Sequence, residues 1–155
     1  MNIRFADKTD IEEISQVYSE WSEFKDILPD ELLSLETPIE VEKNLSDTNR
    51  KYIVAIIDEN IVGVCYIDIS FIQLNSIRLG NMMIKREYRN QGVASQLLNK
   101  IKEYALENNV RKIWLWTQAE LINAINFYEK KGFKLEGIQK EQFCKKDALV
   151  YGLIL

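Results

Sequence analysis

Between an apolar, strand-like run and an amphipathic helix lies Arg89-Asn90-Gln91-Gly92-Val93-Ala94-Ser95. The first turn of any helix exposes unpaired N–H groups and the positive end of the helix dipole. Gly92 lets a ligand come close to the backbone, and Ala94 keeps the surface low. The pieces suit a pyrophosphate lying on the helix N-terminus. An ordinary strand-to-helix turn, with a glycine for geometry, explains the same residues at this point. A second stretch, Asn123-Ala124-Ile125-Asn126-Phe127-Tyr128-Glu129-Lys130-Lys131-Gly132-Phe133, puts Tyr128 on one helical stripe with Leu121 and Ile125. The ring then faces inward. Its hydroxyl either donates a proton in a shielded cleft or bonds a backbone carbonyl as a core tyrosine does.

Other chemistries are excluded by composition. The chain has 155 residues, no histidine and 2 cysteines. The commonest general base and metal ligand is therefore absent. Cys65 and Cys144 stand alone, which leaves no zinc site, and we expect no metal. Both read as small buried hydrophobes with free thiols in a reducing, cytoplasmic setting. The net charge of −4 and the lack of a Lys/Arg stripe argue against nucleic acid as a partner. No apolar run approaches a membrane span, and MNIRFADKTD lacks the apolar stretch of a secretion signal. A homodimer stays open.

The elements that must position these stretches follow from periodicity. Residues 3–6 read as a first strand, and Thr9-x-x-Glu12 as a capping box for a helix running to about Phe24. Residues 25–37 are mixed and contain Pro29. Thr37, Pro38 and Glu40 then open a short helix with Ile39, Val41 and Leu45 on its apolar face. YIVAII and IVGVCYIDI, joined by Asp58-Glu59-Asn60, read as a hairpin buried on both faces. A strand over 75–85 precedes the glycine turn. The helix after it carries Val93, Leu97, Leu98, Ile101, Tyr104 and Ala105 as one stripe, with Asn108-Asn109 as its stop. A strand over 112–118, the Tyr128 helix ended by Gly132, and strands near 133–142 and 146–155 complete the chain. The order β-α-α-β-β-β-α-β-α-β-β predicts a single domain over residues 1–155. Its fold is mixed α/β (α+β), with a mostly antiparallel sheet of about six or seven strands flanked by helices.

Taken together, R-x-x-G-x-A between strand and helix and the later A-I-x-F-Y-E-K-x-G-F resemble the GCN5-related N-acetyltransferase family, over nearly the whole chain. The resemblance implies acetyl-CoA as cofactor and direct attack of a neutral amine, with no acyl-enzyme. Met82, Met83 and Ile84 would pair with the pantetheine arm, a backbone N–H there polarising the thioester carbonyl. Arg89 and the loop amides from Asn90 through Gln91, Gly92, Val93 and Ala94 to Ser95 would hold the pyrophosphate. Tyr128 would protonate the departing thiolate.

Two departures bear on mechanism. The family often has Asn seven residues before the tyrosine; Leu121 stands there, and Asn123 is the substitute on the cofactor side. Some members carry a basic Glu where this chain has Arg78 or Trp116. The base is therefore Asp68, Glu120, an acid of the 25–40 segment, or ordered water. Trp116 replaces a polar residue near the chemistry and is assigned to the acceptor site, and Trp21 and Trp114 to packing. Glu20, Glu23, Asp26, Asp30, Glu31, Glu36, Glu40 and Glu42 form either a field for a cationic amine or a solvated face. The expected acceptor is a small-molecule amine. A protein N-terminus or lysine is the alternative, and a non-catalytic acyl-CoA-binding module is the rival outside enzymes.

Overall fold

A computed structural model describes residues 1–28, 30–33 and 36–155; Pro29 of the mixed segment lies outside them. The strands are β1 (Asn2–Phe5), β2 (Arg50–Ile57), β3 (Asn60–Asp68), β4 (Ser76–Ile84), β5 (Lys112–Thr117), β6 (Lys134–Phe143) and β7 (Lys146–Ile154). They form one 7-stranded sheet in the order β1-β2-β3-β4-β5-β7-β6. The helices are α1 (Ile11–Ser19), the short α2 (Asp30–Leu33), α3 (Pro38–Ser46), α4 (Val93–Glu107) and α5 (Ile122–Lys130).

The continuous apolar runs of β2 and β3 feed two cores. Ile53, Ala55 and Cys65 pack with α4 and α5 residues such as Leu97, Ile101 and Tyr128 on one face. Their neighbours Tyr52, Val54 and Val64 pack with Ile14, Val17 and Val41 of α1 and α3 on the other. Successive strand residues point to opposite faces, so a sheet covered on both sides needs apolar residues at every position.

What positions the site is a split in this sheet. β4 and β5 form a parallel pair from Ser76↔Lys112 to Arg78↔Trp114. Beyond that point β5 follows β7 to Thr117↔Leu149. β4 instead follows β3 to Ile84↔Gly63. The β3–β4 register slips between Tyr66↔Gly80 and Val64↔Met83. Asn81, inside the slip, sits at φ 48°, in the left-handed region. A bulge of this kind bends its strand and re-aims its side chains. The β4 edge beyond Arg78 thus faces a cleft.

Several local expectations are corrected. The box before α1 lies two residues earlier than Thr9-x-x-Glu12: Asp7 accepts from the Thr9 N–H and Asp10 from the Asp7 N–H, each at 2.8 Å. Asp10 is held there by Arg4 through contacts of 2.7 and 2.8 Å. Helix α1 stops at Ser19 and continues to Phe24 only as a 3₁₀ turn. Ile39 is exposed, because Val41 turns inward on the other side of α3. Cys65 is a buried hydrophobe as expected, whereas Cys144 is exposed at the β6–β7 turn. Thr37 does cap α3, accepting from the Glu40 N–H at 3.4 Å.

Candidate active site

The cleft holds two hollows. The first, of about 670 Å³, runs along β4 and across the start of α4. Its walls include Met82, Met83, Ile84, the glycine turn, Asn123 and Phe127. Asn90 at φ 61° and Gly92 at φ 85° swing the backbone into the helix. No side chain caps α4, so its first-turn N–H groups rely on something other than a cap. A Cβ built on Gly92 meets nothing within 4 Å, which leaves the approach to those N–H groups open. Uncapped amides, an unpaired strand edge and an apolar wall fit a long thioester cofactor with a charged phosphate end.

The expected cofactor residues divide by role. Asn90, Gly92, Val93, Ala94, Ser95 and Asn123 line this hollow. Val93 and Met83 turn their side chains into the cores, so they offer backbone. Arg89 lines the hollow too, but its guanidinium is engaged. Its Nε donates to the Ile84 carbonyl at 2.9 Å, and its Nη2 pairs with Glu20 and Glu23. It locks the turn onto the strand end. Gln91 points away and donates to the Glu87 carbonyl at 2.7 Å.

Tyr128 lines both hollows. Its ring meets Phe127 and Phe133 edge-on, with centroids 5.3 and 5.4 Å apart. Among the described residues its hydroxyl has no hydrogen-bond partner, unlike a satisfied core tyrosine. Burial pushes this phenol well above its ordinary pKa, so it keeps its proton and stays a donor.

The second hollow, of about 430 Å³, holds Glu36, Arg50, Arg78, Tyr66, Trp116 and Phe143 in its walls. Trp116, expected at the acceptor site, lines this second hollow. It stands edge-on to Trp114 and Phe143, and its indole Nε1 is buried without a hydrogen-bond partner among the described residues. Trp21 lines both hollows, while Trp114 packs against Phe71 and Trp116.

The candidate bases separate cleanly. Asp68 pairs with Arg78 at 3.2 Å, and its carboxyl is held below the ordinary range by Ser70 and Arg78. Glu120 lies at the rim, 3.9 Å from Lys146. Glu36 is 4% exposed. One of its oxygens accepts from Tyr52 and the other from the Asn81 side chain, both at 2.6 Å. Burial raises this carboxyl above its ordinary pKa despite those bonds. Three other acids of that field are engaged: Glu20 and Glu23 face Arg89, and Glu40 faces Lys43 at 3.6 Å. Sequence reasoning left Glu36 in a crowd because nothing local marks it; only the fold around Tyr52 and Asn81 does.

Comparison with known proteins places this architecture. A ribosomal-protein-alanine N-acetyltransferase from Brucella melitensis superposes over 100% of both chains with TM-score 0.80 at 22% identity. An aminoglycoside 6'-N-acetyltransferase complexed with coenzyme A superposes over 99% of this chain and 97% of that one, with TM-score 0.76 at 15% identity. Streptothricin acetyltransferase of Escherichia coli is 33% identical over 93 residues, 60% of this chain and 52% of that protein. The chain spans about half the length, or less, of the first curated relatives it matches. Residues 12–133 match the Acetyltransferase (GNAT) family, and the chain belongs to that family. Among the described residues no cluster could hold a metal ion, and no helix is long and apolar enough to cross a membrane.

Proposed function

We propose that this chain moves an acetyl group from acetyl-CoA to a primary amine of a small molecule, by direct attack in a ternary complex. The observation that carries the reading is the split sheet. One hollow meets an uncapped helix N-terminus, the other a buried carboxylate, and Tyr128 stands where they join. Bound acetyl-CoA supplies the thioester. The first-turn amides of α4 hold its phosphate end, and the unpaired edge of β4 at Met82 and Ile84 orients the arm. The carbon–sulfur bond breaks and a carbon–nitrogen bond forms; starting from the ammonium, two protons leave nitrogen, one released to solvent through Glu36 and one balanced by the proton that sulfur gains. Glu36 draws in the acceptor's ammonium and takes its proton, directly or through water. Tyr128 donates its hydrogen bond to the sulfur as charge builds there. A phenol held above its ordinary pKa of 10 is a weaker acid than a thiol of about 8.5, so its proton moves with bond cleavage, not ahead of it.

A hollow of about 430 Å³ closed by Trp116 and Phe143 suits a small molecule better than an extended peptide. The test is a thermal-shift titration with CoA and acetyl-CoA on wild type and Gly92→Glu. Ligand at 100 times Kd stabilises a fold by about 2.7 kcal/mol. That is a rise of roughly 5–10 °C at this chain length. The shift is expected in wild type and absent in the variant, whose carboxylate would occupy the phosphate position. No shift in a folded wild type at millimolar acetyl-CoA overturns the reading.

A further inference from the structure

The acceptor hollow contains more positive charge than an amine-binding site needs. Arg50 and Arg78 both enter it. The Arg50 guanidinium lies 4.3 Å from the Tyr66 ring centroid, and Arg78 lies 5.3 Å from the same ring and 4.8 Å from that of Trp116. The Arg78 side chain is 13% exposed, and Asp68 meets it through one nitrogen. The other Asp68 oxygen is occupied by the Ser70 N–H and hydroxyl. Arg50 has no ion-pair partner among the described residues; its contacts are the faces of Tyr66 and the phenol of Tyr52. Asp68 pairs with Arg78, whereas Arg50 is half-buried without a direct ion pair among the described residues, and Glu36 acts on it only through space. A half-buried charge without a direct partner gains from an anion that reaches it. A guanidinium stacked on a ring keeps its N–H edge free, and that planar edge matches a carboxylate. Glu36 stands in the same hollow with the opposite charge, as does Glu40, which pairs with Lys43.

We infer that the acceptor is an amino-acid-like zwitterion, whose carboxylate docks on Arg50 and Arg78 while its amine is held toward Glu36 and Tyr128. The opposite signs within a single small hollow set both ends of the molecule. A polyamine would place a second ammonium beside the two arginines, and like charges there oppose binding. The inference rests on the acetyl-transfer reading, and its test separates the two.

The full chain is assayed for CoA thiol release with amino acids, each against the amine that lacks its carboxylate and against diamines of matched length. Isothermal titration of the same compounds is run in parallel, with and without CoA. The best acceptor is expected to carry a carboxylate and to exceed its decarboxylated partner in kcat/KM by about 10–100-fold. Arg50→Gln should narrow that ratio to about threefold or less, and Arg50→Lys should restore part of it, with acetyl-CoA affinity unmoved in both. A diamine or plain amine as best acceptor overturns the inference, as does a ratio that survives Arg50→Gln. If nothing turns over, the titration decides. Carboxylate-dependent binding lost in Arg50→Gln upholds the inference even where acetyl-CoA fails to bind and the transfer reading falls. No carboxylate-dependent binding overturns it.

Discussion

Replacing Tyr128 with phenylalanine removes one oxygen and leaves the ring contacts with Phe127 and Phe133 in place. A typical hydrogen bond contributes about 0.5–1.5 kcal/mol to stability. The Tyr128 hydroxyl has no protein partner among the described residues, so the variant forfeits none of this. Its stability should stay within about 1 kcal/mol of wild type, or roughly 4 °C in Tm at this size. The rate should behave differently. Loss of a positioned proton donor costs about 10²–10⁴-fold. That is roughly 2.7–5.5 kcal/mol of barrier, several times the stability change. Thiol release at saturating acetyl-CoA, beside thermal melts of both proteins, reads the two quantities. Acetyl-CoA affinity should stay within about threefold, because the phosphate end is proposed to bind at α4, away from this residue. A turnover number within threefold of wild type would refute the donor role. So would a Tm drop large enough to make the rate loss a folding loss.

The pH dependence of Glu36 has a definite sign. Burial raises its carboxyl above the ordinary 4.5, so the fold binds this proton more tightly than the unfolded chain does. The associated stability is fully present below about pH 4.5 and is lost as pH rises through the folded pKa. Glu36→Gln removes that titration, so denaturant melts at pH 5 and pH 8 should differ less in the variant; an unchanged difference would contradict the assignment. The same variant should lower kcat/KM at least about tenfold and lose the acidic limb of the rate profile that belongs to Glu36. A Cβ on Gly80 would lie 2.5 Å from the Tyr66 hydroxyl oxygen and 2.6 Å from its Cε2. Gly80→Ala should therefore cost about 1–3 kcal/mol, read by urea unfolding, and raise acceptor KM by shifting the ring under both arginines. Trp116→Phe deletes a buried N–H without a partner. It should leave Tm unchanged or raised, whereas Trp116→Ala should alter amine preference in a thiol-release screen with acetyl-CoA affinity retained.

Elements whose residues carry their own signal were legible. Continuous β-branched runs around an Asp58-Glu59 turn form β2 and β3, and both turn residues have positive φ. The α4 stripe buries Leu97, Leu98, Ile101 and Ala105 as the spacing requires. Gly132 adopts φ 94° after α5. The glycine turn before α4 was legible for the same reason, since glycine and a helix start announce themselves locally. What escaped depends on register or on distant partners. The capping box moved because Arg4, in β1, selects Asp10. The bulge at Asn81 needs the slip between Tyr66↔Gly80 and Val64↔Met83, which one strand alone does not reveal. Glu36 differs from its acidic neighbours only in what encloses it.

The missing carboxylates also make physical sense together. Arg78 and Trp116 occupy the two positions where the resemblance looks for a basic Glu. They sit on adjoining strands just where β4 and β5 part. They are not independent losses: the Arg78 guanidinium stacks 4.8 Å from the Trp116 ring, and Arg50 extends the stack across Tyr66. A carboxylate at either place would pair with these cations, have its pKa lowered as Asp68 does, and be a poor base. On the α1–α3 side of the sheet, Glu36 is tied to Tyr52 and to Asn81 of the β4 bulge, next to the strand edge assigned to the cofactor arm. Burial raises its pKa, the direction that suits a base, and on the proposed reading Arg78 and Trp116 are left to recognise the acceptor's other end. Moving the base therefore changes specificity as well as position. A hollow lined by both carboxylates and guanidiniums would select a molecule with both charges over one with the amine alone.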